Sequence, residues 1–343
     1  MNLSTELRDI ATTRAILLQQ LGSSISNDVK NAYLLILDDI KSKILKHEEL
    51  DVARTKQIIK EIRAIVFPQL DLEPQLQEFA LHERDWLINS SNMAAGAEIF
   101  RAIPPESVII AIGKNPVIEG ALLKNWISGL NDKIKFDFER SINLSMLQGE
   151  STQEATKRLT KVMGISVNQA ETLVRTAIAS VSNRVREEVY KDNEDIIKGR
   201  RHVSTIDGRT SDICIVRDGA EWDNKGKGLN QKGKSNTFRQ PPLHPRCRSY
   251  LEPILKSWSE IDPSLDWIDE IPQTTRASMS GQIDSKITFE QWLKSKDAKF
   301  VEELLGRGRA ELYLSGRISV GDLVTKGGRT RNIKELREIS NKK

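Results

Sequence analysis

The chain has 343 residues, with 52 Lys plus Arg against 48 Asp plus Glu and a formal net charge of +4. Hydrophobic residues at 38% and aromatics at 5% describe a helix-leaning chain and exclude a membrane protein, a collagen or a wholly disordered chain. The length fits two or three modest domains better than one core.

The longest apolar runs, 33–37 and 108–112, fall far short of a bilayer span, so no membrane span is expected. Glu6, Arg8 and Asp9 stand where a leader would need an apolar core, so no cleaved secretory leader is expected either. Two cysteines, Cys214 and Cys247, cannot build a disulfide scaffold. A charge this near balance does not by itself point to nucleic acid; only its distribution could. No self-similarity at a fixed period is visible.

Residues 1–150 read as helices. Val29, Ala32, Tyr33, Ile36, Leu37, Ile40 and Ile44 recur at three- and four-residue steps, which predicts a helix opening at an N-cap near Ser26 or Asn27. A second helix is predicted over 51–67, with Ile58, Ile59, Ile62 and Ile65 or Val66 inward and Pro68 as its stop. Further helical segments are predicted at 73–91, 92–102, 105–112 and 116–130, punctuated by Pro104-Pro105 and Pro116. Another follows at 134–148, with Gly149 as C-cap. Ser151 or Thr152 opens a helix carrying Ala155, Leu159 and Val162, stopped by Gly164. Ser166 caps the next, which runs to about Lys191 with Ala170, Leu173, Val174, Ala177, Val181, Val185 and Val189 inward.

The pattern then changes. Residues 200–205 read as a short strand, Asp207-Gly208 and Asp218-Gly219 as turns, 211–217 as a short helix and 220–222 as a second strand. Residues 224–240 lack an apolar period and read as loop. Pro241-Pro242-Leu243-His244-Pro245 is stiff, and 249–254 can return as a strand. Residues 256–285 are turn-rich and read as a linker. Thr288 caps a helix beginning at Phe289, helical segments follow at 289–305 and 306–315, and the tail carries Lys326, Arg329, Arg331, Lys334 and Arg337. The expected fold class is mainly α. A helical N-terminal region covers 1–150 and a small α+β hairpin domain with a proline-rich return strand covers 151–255. The linker at 256–285 leads to a short helical C-terminal module over 286–343.

Chemistry concentrates between Thr205 and Cys247. His244-x-x-Cys247 has metal-ligand spacing, and Cys214 with Asp207 could complete a tetrahedral structural zinc that pins a hairpin domain too poor in core to stand alone. Against this, two cysteines and one histidine are a thin donor set, which favours reduced, inert thiols with His244 bonded to backbone. A catalytic Cys–His dyad is a third reading, but nothing in the sequence marks a partner to orient the base. Lys225, Lys227, Lys232, Lys234 and Arg239 fill 224–240 without an acid. They read either as phosphate contacts for DNA or as a solvated loop. Only Phe238 offers a stacking surface, which disfavours single-strand reading. No His or Cys follows Cys247, and Glu302, Glu303 and Glu311 at helical spacing read as a solvated face.

This stretch resembles the phage Mu F-like minor head proteins. The residues that carry the resemblance are Thr205, Asp207, Arg209, Thr210, Cys214, Asp218, Gly219, Pro241, Pro242, His244, Pro245, Cys247 and Arg248. Arg175-Thr176, Asn183, Arg186 and Tyr190 on the helix before it match as well, so the likeness covers about 150–254. The segments around Phe289–Leu293 and Leu305–Leu312 look like the tail that often follows this domain. Two departures stand out. Family members often carry Cys where this chain has Ser211 and Ser249, which weakens the zinc reading, and Glu where it has Ala177.

The resemblance implies a non-enzymatic minor capsid protein of the virion, in the head interior after assembly in the host cytoplasm. It would dock on the portal, meet coat or scaffolding proteins and packaged DNA, and assist head assembly and DNA delivery. The alternatives are a nuclease- or toxin-like activity in the C-terminal module, as some relatives carry there, and a metal-stabilised nucleic-acid-binding module at 200–254.

Overall fold

The computed structural model describes residues 3–65, 67, 72–95, 98–257, 260, 275–278, 281–284, 287, 289–325 and 330–341. The fold is mainly α with a small α+β part. Among the described residues no helix is long and apolar enough to cross a membrane.

Helix α1 is one helix, Leu3–Ile44, rather than one that opens at Ser26. The Ser26 hydroxyl instead donates to the Gly22 carbonyl one turn back, which satisfies it inside the helix and removes its value as a cap. Helix α2, Val52–Arg63, is capped by the Asp51 carboxylate accepting from Arg54 N, and it ends earlier than predicted. Pro68, its predicted stop, and Val66 lie outside the described residues. Helix α3 is Leu72–Ala95 and α4 is Glu106–Lys114.

Of the helix predicted over 92–102, residues 92–95 belong to α3 and 98–102 are not helical. The Asn92 amide captures the Phe100 backbone, donating to its carbonyl and accepting from its N–H, and holds 98–100 out of helical geometry. The predicted helix at 116–130 also starts late. Residues β1 (Val117–Ile118) and β2 (Ala121–Leu122) pair as a tight hairpin, and only then does α5 run, Leu123–Leu147. Gly149 follows α5 with φ +63°, the left-handed conformation that ends helices.

Helix α6 is continuous, Thr152–Asp192. Ser151 and Glu154 form its capping box. Gly164 does not stop it, and the Ser166 hydroxyl donates back to Val162 O. One unfavourable glycine, worth about 1 kcal/mol, is outweighed where the flanking turns bury Leu159, Met163, Ala170 and Val174.

The chain divides into two compact units. One comprises Leu17–Glu78 and Ala111–Val181. Its core takes Tyr33, Leu37 and Ile44 from α1, Ile58 and Ile62 from α2, Ile134, Phe138 and Ile142 from α5, and Leu159 and Val174 from α6. Tyr33 donates to Asn131 Oδ1 at 2.7 Å, and burial pushes its pKa up to about 12. Arg63 holds Glu139 through two bonds of 2.9 and 2.8 Å, tying α2 to α5.

The other unit comprises Met1–Ile16, Phe79–Ile110 and Ser182–Lys343. It holds a three-stranded antiparallel sheet in the order β4 (Glu221–Asp223), β3 (Ile197–Val203), β5 (Tyr250–Leu255). Leu87, Ile88, Phe100, Val189, Tyr190 and Ile197 pack as one apolar cluster. Within the segment read as a linker, β6 (Thr275–Ser278) and β7 (Gly281–Asp284) pair antiparallel. The C-terminal helices are α9 (Phe289–Lys294), α10 (Ala298–Leu305), α11 (Arg307–Leu314) and α12 (Ile333–Ser340). The segment predicted as one helix over 289–305 is thus two, because Asp297 caps a new start by accepting from Phe300 N. Thr288, Lys326 and Arg329 lie outside the described residues. These helices share a core with Ile206 and Ile215, so the end of the chain packs on the Thr205–Arg217 segment.

A buried ion cluster braces this unit. Glu83 is fully buried and accepts from Arg14 Nε at 2.7 Å, Arg186 Nε at 3.0 Å and Ser182 Oγ at 2.8 Å. Burial pushes the Glu83 pKa up, but the charges of Arg186 and Arg14 outweigh it and leave the carboxyl below its ordinary value. Stability from this group is therefore full above the ordinary carboxyl range and lost as pH falls through the depressed folded value. Glu83→Gln is expected to cost about 3–5 kcal/mol at neutral pH by leaving two buried cations short of charge. Thermal melts should show that difference shrinking as pH drops below about 4.

Candidate functional site

Residue Val203 ends β3, and the next residues build a compact turn. Asp207 Oδ1 accepts from Arg209 N at 2.9 Å and from the Thr210 hydroxyl at 3.1 Å, and the same hydroxyl reaches the Thr205 carbonyl at 2.5 Å. These bonds tie the turn together: Asp207 and Thr210 satisfy each other, and Thr210 satisfies the Thr205 carbonyl. The short helix α7, Asp212–Arg217, then carries Cys214 inward. Gly219, at φ +75°, takes a conformation that suits glycine and donates to the His202 carbonyl, turning the chain into β4.

The return passes through Pro241, Pro242 and Pro245. Arg246 adopts φ +58°, uncommon for a residue with a side chain, while Cys247 N donates to His244 O. That tight turn swings Cys247 back beside His244. Arg248 then clamps Asp207 through both oxygens, at 2.5 and 2.7 Å. Burial pushes the Asp207 carboxyl up, but the guanidinium and the Arg209 N–H together hold it below its ordinary range.

Three side chains meet inside this closure. Cys214 Sγ lies 3.2 Å from His244 Nε2 and 3.7 Å from Cys247 Sγ. Both thiols are buried, and His244 is half-buried. The hydrogen bond from Cys214 pulls Cys247 far down against its burial, with His244 helping, and Cys214 is pushed up in turn. Burial would lower the His244 pKa, but the Cys247 partner brings it above its ordinary value. The Ser249 and Ser211 hydroxyls lie near enough to Cys214 to favour its thiolate.

Asp207 is not in this group. Among the described residues the cluster of candidate donors is Cys214, His244 and Cys247, and the Asp207 carboxylate is held by Arg248 instead. His244 Nδ1 is 2.8 Å from the Pro245 carbonyl, so a carbonyl rather than a carboxylate orients its ring.

The basic residues separate by role. Lys225, Lys227, Lys234 and Arg239 are exposed. Lys232 is half-buried and donates to the Asp218 carbonyl at 2.6 Å, which makes it a strut of the fold. The loop predicted over 224–240 is strapped down. It contains the helical turn α8, Gln231–Ser235, capped by Asn230 accepting from Gly233 N. A Cβ on Gly233 would stand 1.9 Å from the Glu221 carbonyl oxygen, so only glycine lets this turn press against β4. Trp222 donates to Asn236 O and meets the Phe238 ring edge-on. None of these ties has an apolar period, which is why periodicity missed them.

One buried group, Arg217, had no signal in the sequence, and one turn residue, Asp218, does more than turn the chain. Arg217 is fully buried, and its Nε and Nη2 have no hydrogen-bond partner among the described residues. Asp218 is buried and accepts from Ser204 N with one oxygen and from Phe289 N with the other, joining the end of β3 to the start of α9. On α6, Asn183 donates to Ser249 O, Tyr190 to Leu251 O and Arg186 to Glu83.

Residues 136–252 match the family described as Phage Mu protein F like protein. That segment is therefore a phage Mu F-like domain, in keeping with the resemblance that the residues from Thr205 to Arg248 carry. The match spans the whole turn, loop and proline return and stops before the C-terminal helices. No curated protein and no solved structure matches the chain.

Asp218→Ala is expected to cost about 3 kcal/mol by orphaning two backbone N–H groups, Ser204 and Phe289. Limited proteolysis should then cut ahead of α9 faster than in the parent chain, and unchanged cleavage there would contradict the bridging role.

Proposed function

We propose that the protein is a minor capsid protein that docks on the portal inside the assembling phage head and assists head assembly and DNA delivery. The family match over 136–252 carries this reading, since it supports a phage head-morphogenesis protein of the virion. Apolar side chains left in solvent on α5 support docking. Phe136 is 64% exposed and Leu147 75%, with Leu144 between them, and steps of eight and three residues put all three on one helix face. Portal, coat and scaffolding subunits are the partners in view.

The exposed cations Lys225, Lys227, Lys234 and Arg239 suit loose, sequence-independent contact with packaged DNA. The enzymatic alternative draws no support from the C-terminal residues. Arg309 is engaged by Asp212 at 3.1 Å and by the Arg331 carbonyl at 2.9 Å, and Glu302, Glu303 and Glu311 are exposed.

Co-purification with the neighbouring portal protein tests the docking reading. Retention at raised salt is expected for a packed apolar interface, and failure to associate even at low salt would overturn it. Replacing Lys225, Lys227, Lys234 and Arg239 together by Ala should weaken DNA binding and reduce the slope of log affinity against log salt by up to about 3.6. An unchanged slope would remove the loop from the DNA contact.

A further inference from the structure

The Cys214–His244–Cys247 cluster has the shape of a metal site. A tetrahedral ion with Zn–S near 2.3 Å and Zn–N near 2.0–2.1 Å sets its sulfurs about 3.8 Å apart and sulfur from nitrogen about 3.6 Å. The observed separations are 3.7 Å and 3.2 Å, and all three donor atoms lie within 4.8 Å of one another. One soft cation between the two buried sulfurs would bind both.

The histidine is prepared for such a role. A carbonyl only accepts, so Nδ1 of His244 donates to Pro245 O, and the neutral ring then carries its lone pair on Nε2. That nitrogen is the one beside Cys214, and a backbone carbonyl fixing the far side of the ring is the usual support of a metal-bound imidazole.

One unsatisfied polar group stands close to Cys214 in the chain. Nε and Nη2 of Arg217, three residues after it, are buried without a hydrogen bond among the described residues. A buried guanidinium with two idle donors wants an anionic acceptor. Metal-bound thiolates are anionic sulfurs.

We propose that Cys214 Sγ, His244 Nε2 and Cys247 Sγ bind one zinc-class divalent cation, with an oxygen, from water or the Ser249 hydroxyl, in the fourth position. Both sulfurs bind as thiolates, so their two negative charges neutralise the ion. Asp207 takes no part, because Arg248 holds both of its oxygens. The ion staples α7 to the proline return, and the inference stands independently of portal docking.

Elemental analysis and cobalt substitution of the full chain test it. After exposure to zinc and desalting, about one zinc per chain is expected, falling at least tenfold in Cys247→Ser. Cobalt(II) should give the thiolate charge-transfer band and the visible bands of a tetrahedral centre. Ser249→Cys adds a third thiolate at the open position and should raise the charge-transfer intensity about 1.5-fold. This gain keeps the test decisive if Cys247→Ser fails to fold. A parent chain that takes up no zinc and shows no cobalt–thiolate band would overturn the site. An unchanged band in Ser249→Cys would overturn the assigned fourth position.

Discussion

The clamp of Arg248 on Asp207 is the interaction on which the small α+β part depends. Its two ends are separated by the helix α7, the strand β4 and the strapped loop. With Asp207 preset by Arg209 N and Thr210, the carboxylate presents both oxygens to a fork-shaped donor that arrives on the return strand. This geometry fixes the register in which β5 leaves, since Ser249 and Tyr250 follow at once and Tyr250 pairs with Val203. It also brings Cys247 against Cys214. The thiol cluster is therefore a consequence of the closure as much as a contributor to it.

Much of this was legible before any coordinates. The turn at Asp207-Gly208, the short helix holding Cys214 and the return strand follow from local turn chemistry and from the stiffness of the prolines. The inward faces of α1, α2 and α6 follow from their three- and four-residue spacing, and Val29, Tyr33, Ile58, Ile62, Val181 and Val185 are all buried. Helix ends were less legible. Ser26 and Ser166 look like caps in sequence but bond back into their own helices, a choice made by packing on the flanking turns rather than by the serine. The failure at 92–102 is similar in kind: one amide, Asn92, pairs with a backbone eight residues on, and no periodicity encodes that.

The site divides along the same line. His244-x-x-Cys247 announced itself by spacing, but the sequence offered Asp207 as a fourth ligand because proximity in the chain says nothing about which partner a carboxylate takes. Arg248, one residue past Cys247, outcompetes any such role with a bidentate charge-assisted pair. Arg217 was invisible for the opposite reason. Arginines at the ends of short helices are usually solvated, and only burial reveals one that has been left with idle donors.

Asp218 shows why the parts of this unit do not act as independent modules. Its carboxylate receives the backbone of Ser204 from the end of β3 and of Phe289 from the C-terminal helices, and its carbonyl receives Lys232 from the basic loop. The Ile206 side chain ahead of α7 and the Ile215 side chain within it enter the same core as Trp292, Leu305 and Leu323. Any shift of α7 must therefore pass to the loop that presents its cations to solvent and to the helices at the end of the chain. Cys214 sits in that helix. A ligand that held Cys214 to Cys247 would stiffen the basic loop and the C-terminal core together, although it touches neither.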